Sequence, residues 1–260
     1  MKRSTLSIVG LATLIVSLTA WRYLRQSDGL AITTRQTKTV LRIGTNAEFP
    51  PFAFMRDGEI TGFDSELIKL VAQRLDLTPE FKNMDFEVLL PQLQAGAIDV
   101  IASGMTETPA RAQQVLFTRP YLSGDPLVIV THVGQSALTD LAALAGKTVI
   151  VNDGFTADTY LSRHPEIKLK RLATVSDAFL ALNSQQAAAY VGAENSMMPF
   201  LEQYGRSNYQ LHPLAGTNEN CAIAVSKHYP ELLTKIQTVL DELAADGTLA
   251  QLKAHWKLVA

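Results

Sequence analysis

From Val40 onward, short apolar runs alternate with stretches whose apolar residues recur at helical spacing, and this alternation limits the fold more than any other feature. "VLRIGT" reads as a strand, and "FAFMRDGEITGFD" as two strand-like runs about a turn at Asp57-Gly58. "DSELIKLVAQRLDL" reads as a helix with Asp64 as its N-cap, "TPEFKNM" as a strand, "DFEVLLPQLQAGA" as a helix ending at Gly96, and "IDVIASG" as a strand. After "PLVIVT" the pattern restarts: "LAALAGKTVIVND", "IKLKRLA" and "AAAYVGA" supply strands, with helices at "TADTYLSRH" and "VSDAFLALNSQQ". "NCAIAV" then gives one strand, followed by two amphipathic helices separated at Asp246-Gly247. Strands alternating with helices predict an α/β protein of two units, each a mostly parallel sheet flanked by helices.

The chain has 260 residues, 47% of them hydrophobic and 18% charged, enough for one large or two modest cores. A net charge of -2 offers no basic field for nucleic acid or anionic lipid, so no nucleic-acid partner is expected and a small molecule is favoured. The N-terminus departs from this pattern. Lys2 and Arg3 precede an apolar run from Leu6 to Ala20, which reads as an export signal over residues 1–25. The tail of that run lacks the small-x-small pattern of a cleavage site, and residues 6–24 are just long enough to span a bilayer. A periplasmic location follows, with residues 6–24 as a signal peptide or an inner-membrane anchor. Residues 26–39 are polar, without apolar period, and read as a linker.

Cys221 is the single cysteine, so no disulfide forms within the chain, and its apolar setting marks a packed thiol. His132, His164, His212, His228 and His255 are scattered, with no pair at metal-ligand spacing. With no glycine-rich phosphate loop and no G-x-S-x-G elbow either, neither a metal nor a cofactor is expected.

In open α/β sheets, ligands bind beyond the carboxyl ends of the strands. Three stretches hold that position: "GTNAEFPPF", "ASGMTETPAR" and "NDGFTADTYL". The second offers the hydroxyls and amides of Ser103, Gly104 and Thr106, and ends on Arg111, whose planar fork suits a carboxylate. The third runs into a helix, placing the amides of Phe155 and Thr156 at its positive end.

With "GFD", "MDFEVLLPQLQAGAIDV" and the C-terminal "DGTLAQLKAHW", these stretches resemble the periplasmic amino-acid-binding proteins of ABC transporters, family 3 of the extracellular solute-binding proteins. The likeness runs from about Val40 to the C-terminus. It implies a type II two-lobed fold joined by two hinge strands, with residues 40–128 and 220–260 as lobe 1 and residues 129–219 as lobe 2. It further implies that Arg111 clamps a ligand α-carboxylate with Thr106 and the Thr156 amide. Phe49 and Phe86 would sandwich the ligand side chain, and Ser103 and Gly104 would meet its α-amino group.

Two positions depart from the family pattern. Asn46 stands where members that bind lysine, arginine or glutamine carry an aspartate. Ala193 stands where an aspartate usually meets the α-ammonium, with Glu194 next to it as a replacement. The resemblance implies a monomeric receptor, not an enzyme, that closes on a polar amino acid, arginine or glutamine ahead of acidic ones, and hands it to a permease in the inner membrane. Two other readings remain: a cyclohexadienyl dehydratase-like enzyme using a buried Glu48 or Glu194 as acid, and a membrane-anchored sensor.

Overall fold

The structure, a computed structural model, describes residues 39–135 and 138–258. The export segment and nearly all of the linker expected from the sequence lie outside the described residues. Among those residues, no helix is long and apolar enough to cross a membrane.

Two five-stranded sheets organise the fold. In the first, the order is Thr78–Asn83, Val40–Thr45, Val100–Ile101, Ala224–Val225 and Leu116–Phe117. Val40–Thr45 is parallel to both neighbours, whereas Ala224–Val225 is antiparallel to both of its own. In the second, the order is Lys168–Leu172, Thr148–Asn152, Ala189–Ala193, Leu127–His132 and Tyr209–Pro213. Its first three strands are parallel and Leu127–His132 is antiparallel to its neighbours. Each sheet therefore has a parallel half and an antiparallel half.

The inner parallel strands of the second sheet are apolar on both faces, as expected where helices cover both. Val149, Ile150 and Val151 are all fully buried, as are Ala189, Tyr190 and Val191 in the strand beside them. In the helix Pro230–Ala245, Leu232, Ile236, Val239, Leu240 and Leu243 recur at spacings of three and four, and all are buried. The Asp57-Gly58 turn forms as expected between Ala53–Arg56 and Glu59–Thr61, with φ of 52° and 82° at its two central residues.

The connection between the two sheet units includes the antiparallel pair Leu122–Asp125 and Glu219–Cys221, with a bulge between Glu219 and Asn220. Here the single strand expected at "NCAIAV" divides in two. Cys221 bridges to Thr106, the Ala222 N–H donates to Met105 O, and Thr118 N–H donates to Ile223 O before Ala224–Val225 enters the first sheet. The run changes partners midway, and apolar periodicity carries no mark of such a change.

A second correction concerns Asp64. The helix Phe63–Arg74 is capped at Gly62 without a side-chain bond. Asp64 is instead fully buried, where its carboxylate accepts the Gly104 N–H at 2.5 Å and the Tyr121 hydroxyl at 2.8 Å. It thereby pins one residue of the "ASGMTETPAR" loop to the first sheet unit. Burial pushes its carboxyl up to about 7, with the two hydrogen bonds opposing.

Because the folded value lies above the ordinary 3.8, Asp64 contributes stability that is fully present below about pH 4 and is lost as pH rises through about 7. At ~1.4 kcal/mol per pKa unit the loss is at most about 4 kcal/mol. Urea unfolding between pH 4 and 8 should show this decline in the wild type and a flatter profile in Asp64→Asn. An unchanged slope in the variant would remove Asp64 as its source.

Candidate functional site

Between the two sheet units lies a partly enclosed cleft lined by residues of both. Phe49, Phe86, Gly104, Arg111, Phe155 and Thr156, six of the ten positions singled out from the sequence, line it. Asn152, Tyr190, Ala193, Ser196 and Glu219 complete much of the wall.

Arg111 belongs to the short helix Pro109–Ala112, whose N-cap Thr108 accepts the Arg111 N–H through its side chain. The guanidinium donates to Thr106 O at 2.8 Å and to Gly154 O at 3.0 Å. Its planar fork therefore ties the loop after the first sheet's third strand to the loop after the second sheet's strand Thr148–Asn152. Carbon ζ lies 5.3 Å from the centre of the Phe86 ring, a cation–π distance. Burial lowers the guanidinium's pKa and the charge of Glu219 pulls it back up, yet an arginine stays cationic in such a setting.

Phe155 is placed differently from the expectation that Phe49 and Phe86 face each other across a ligand side chain. Its ring packs on both, edge-on to Phe49 at 5.2 Å and tilted against Phe86 at 4.4 Å. The N–H of Phe155 donates to Asn152 O, so one of the two amides expected at this helix start is already engaged.

Four expected positions are not part of the cavity wall. Asn46 is buried, with its N–H donating to Ser103 Oγ at 2.9 Å and its side chain donating to Met84 O at 3.3 Å. Ser103 is fully buried and spends its hydroxyl oxygen on that contact. Thr106 is buried and hydrogen-bonds Glu219 through its hydroxyl. Glu194 opens the helix Glu194–Tyr204 and its N–H donates to Pro126 O, while Ala193 and Ser196 on either side of it do line the cavity. As for the acid required by the enzymatic reading, Glu48 is exposed and Glu194 only partly buried.

Sequence reasoning passed over Glu219. It is 5% exposed, and Oε2 accepts hydroxyl hydrogens from Thr106 and, at 3.1 Å, from Thr156. Burial pushes its carboxyl up, and the two threonines and Arg111 pull it down. The readable signal was an acid immediately ahead of the apolar run "NCAIAV", where a strand entering a core carries its neighbours inward.

Gly104 adopts φ +58°, and a Cβ there would come within 2.6 Å of Phe49 Cε1 and 3.1 Å of Phe52 Cγ. Gly104→Ala combines left-handed backbone strain with a ring clash and should cost about 1–3 kcal/mol in urea unfolding. Wild-type stability in that variant would mean that the rings do not constrain this loop.

These features define a two-lobed α/β binding protein with an arginine-anchored cleft between its lobes. The model of the bacterial extracellular solute-binding proteins, family 3, matches residues 41–259, and the chain belongs to that family. It is 28% identical over 221 residues to ABC transporter arginine-binding protein 1 of Escherichia coli K12, covering 83% of this chain and 90% of that one. To the arginine-binding extracellular protein ArtP of Bacillus subtilis it is 30% identical over 226 residues, 84% of this chain and 86% of that one. Among solved structures, an ancestral arginine-binding protein bound to arginine aligns with TM-score 0.80 at 35% identity, covering 84% of this chain and 98% of that one. The form described as bound to glutamine aligns at 0.79 and 35%, covering 85% and 99%. Its two-lobed architecture is that of the type II periplasmic binding proteins.

Proposed function

We propose that this protein is an extracytoplasmic receptor that captures a polar amino acid, arginine or glutamine in preference to acidic or small aliphatic ones, and delivers it to an ABC transporter permease. The observation that carries the reading is Arg111, a buried cation on the wall of a cavity otherwise rich in aromatic rings. Its fork matches an α-carboxylate in two-pronged geometry, and Phe49, Phe86 and Phe155 suit a flat amide or guanidinium group. The arginine-binding relatives and the arginine- and glutamine-bound structural neighbours support this choice of ligand.

In this reading residues 40–128 with 220–260 move as one body and residues 129–219 as the other, and the ligand's work is to stabilise closure without any bond being made or broken. The protein acts as a monomer in the periplasm. The Thr156 amide assists at the carboxylate, while Thr106 positions Arg111 and Glu219, and Asn46 and Ser103 hold the first-lobe wall in place from behind.

A ligand that binds only the folded state raises stability by RT ln(1 + [L]/Kd), so a melting screen at millimolar ligand detects even micromolar binding. Arginine or glutamine should raise the melting temperature, with acidic and small aliphatic amino acids giving less. Arg111→Ala should weaken binding at least about 30-fold, the loss expected when one side of a buried charge pair is removed. A better response to glutamate or alanine, or an undiminished response in Arg111→Ala, would sink the reading.

A further inference from the structure

A carboxylate taken out of water must regain its hydrogen bonds and find a counter-charge, or it costs several kcal/mol. Glu219 meets this requirement only halfway. Oε2 accepts from the Thr106 and Thr156 hydroxyls, but Oε1 is buried and among the described residues nothing hydrogen-bonds it. The cation in the same cavity, Arg111, directs its donors to the carbonyls of Thr106 and Gly154. No ion pair within 4.0 Å joins Arg111 and Glu219 among the described residues. One cavity thus presents a cation and an acid that feel each other's charge but make no direct ion pair, which is the charge complement of a zwitterion.

We propose that Glu219 is a ligand-binding residue whose Oε1 accepts the α-ammonium group of the bound amino acid, supplying the charge that Ala193 does not. The assignment rests on the receptor reading above. Thr106 accepts from Arg111 through its carbonyl and holds Glu219 through its hydroxyl, so a carboxylate on Arg111 lies near the Glu219 carboxylate. The ammonium on the adjoining carbon separates these like charges, whereas the distal end of the side chain extends away toward the aromatic rings. Glu194 is the poorer acceptor, because it is only partly buried and does not line the cavity. Glu219 also lies on one of the two strands connecting the sheet units, directly opposite Asp125. A ligand held there touches the connection itself as well as both walls.

The test is calorimetric titration of the wild type, Glu219→Gln and Glu194→Gln with arginine, glutamine and 5-guanidinopentanoate, which is arginine without its α-ammonium. Circular dichroism and melting confirm that each variant is folded. Glu219→Gln should bind arginine and glutamine at least about 30-fold more weakly, yet bind 5-guanidinopentanoate within about threefold of the wild type. Equal losses for all three ligands would reduce Glu219 to a structural support, and a loss shared by arginine and 5-guanidinopentanoate but not glutamine would move its contact to the guanidinium. Arginine binding unchanged in Glu219→Gln but weakened in Glu194→Gln would return the role to Glu194. Each of these outcomes overturns the assignment while the receptor reading stands; a wild type that binds neither amino acid overturns both.

Discussion

One guanidinium holds the centre of this molecule together. Arg111 donates to carbonyls from loops on the two separate sheet units, and it does so inside the cavity where a ligand would have to enter. A buried arginine retains its charge, so its forked donors require fixed acceptors around them. Much of the surrounding architecture supplies that order. Thr108 caps the helix carrying Arg111, and Asp64 pins Gly104 from below. Gly104 in turn leaves room for the Phe49 and Phe52 rings, of which Phe49 lines the cavity.

The electrostatics of the cleft narrow what can occupy it. Arg111 and Glu219 lie in one cavity with opposite signs, and Asp125 stands behind Glu219 across the paired strands. Burial, with Glu219 and Glu194 nearby, pushes the Asp125 carboxyl up to about 6, against the hydrogen bonds from Asn195. A second negative charge brought here with a ligand would meet an acidic neighbourhood lacking a spare cation. A ligand bearing one carboxylate and at least one cationic group meets no such penalty. This ordering follows from charge count alone and agrees with the proposed preference for arginine and glutamine over acidic amino acids.

The sequence exposed the parts of the fold that depend on local periodicity. Alternating strands and helices, the Asp57-Gly58 turn and the break at Asp246-Gly247 all follow from backbone geometry within a few residues. Arg111 was legible because a lone cation among small hydroxyl residues at a strand's carboxyl end has few other uses. What stayed hidden depends on which distant segments meet. Asp64 looked like a cap because its helix begins there, and only the fold shows that Gly104 and Tyr121 claim it first. "NCAIAV" has the periodicity of one strand although it serves two sheets in turn. Phe155 sits against Phe49 and Phe86 only because two separate sheet units bring their loops together.

Glu219 carries this point into mechanism. In sequence it lies 108 positions from Arg111 (219 − 111) and 26 from Ala193 (219 − 193), so no local pattern links the three. In space all three line one cavity. A binding site needs a charge of the right sign at the right place, and the chain can supply it from any element that reaches there. A connecting strand is an effective source, since its position is fixed relative to both sheet units at once. The Thr156 hydroxyl reaches Glu219 from the second unit and the Thr106 hydroxyl reaches it from the first, so the carboxylate is aligned only where the two units approach. A ligand that draws on this alignment has differential affinity for the closed arrangement, which is the physical requirement for any ligand that shifts a protein between open and closed states.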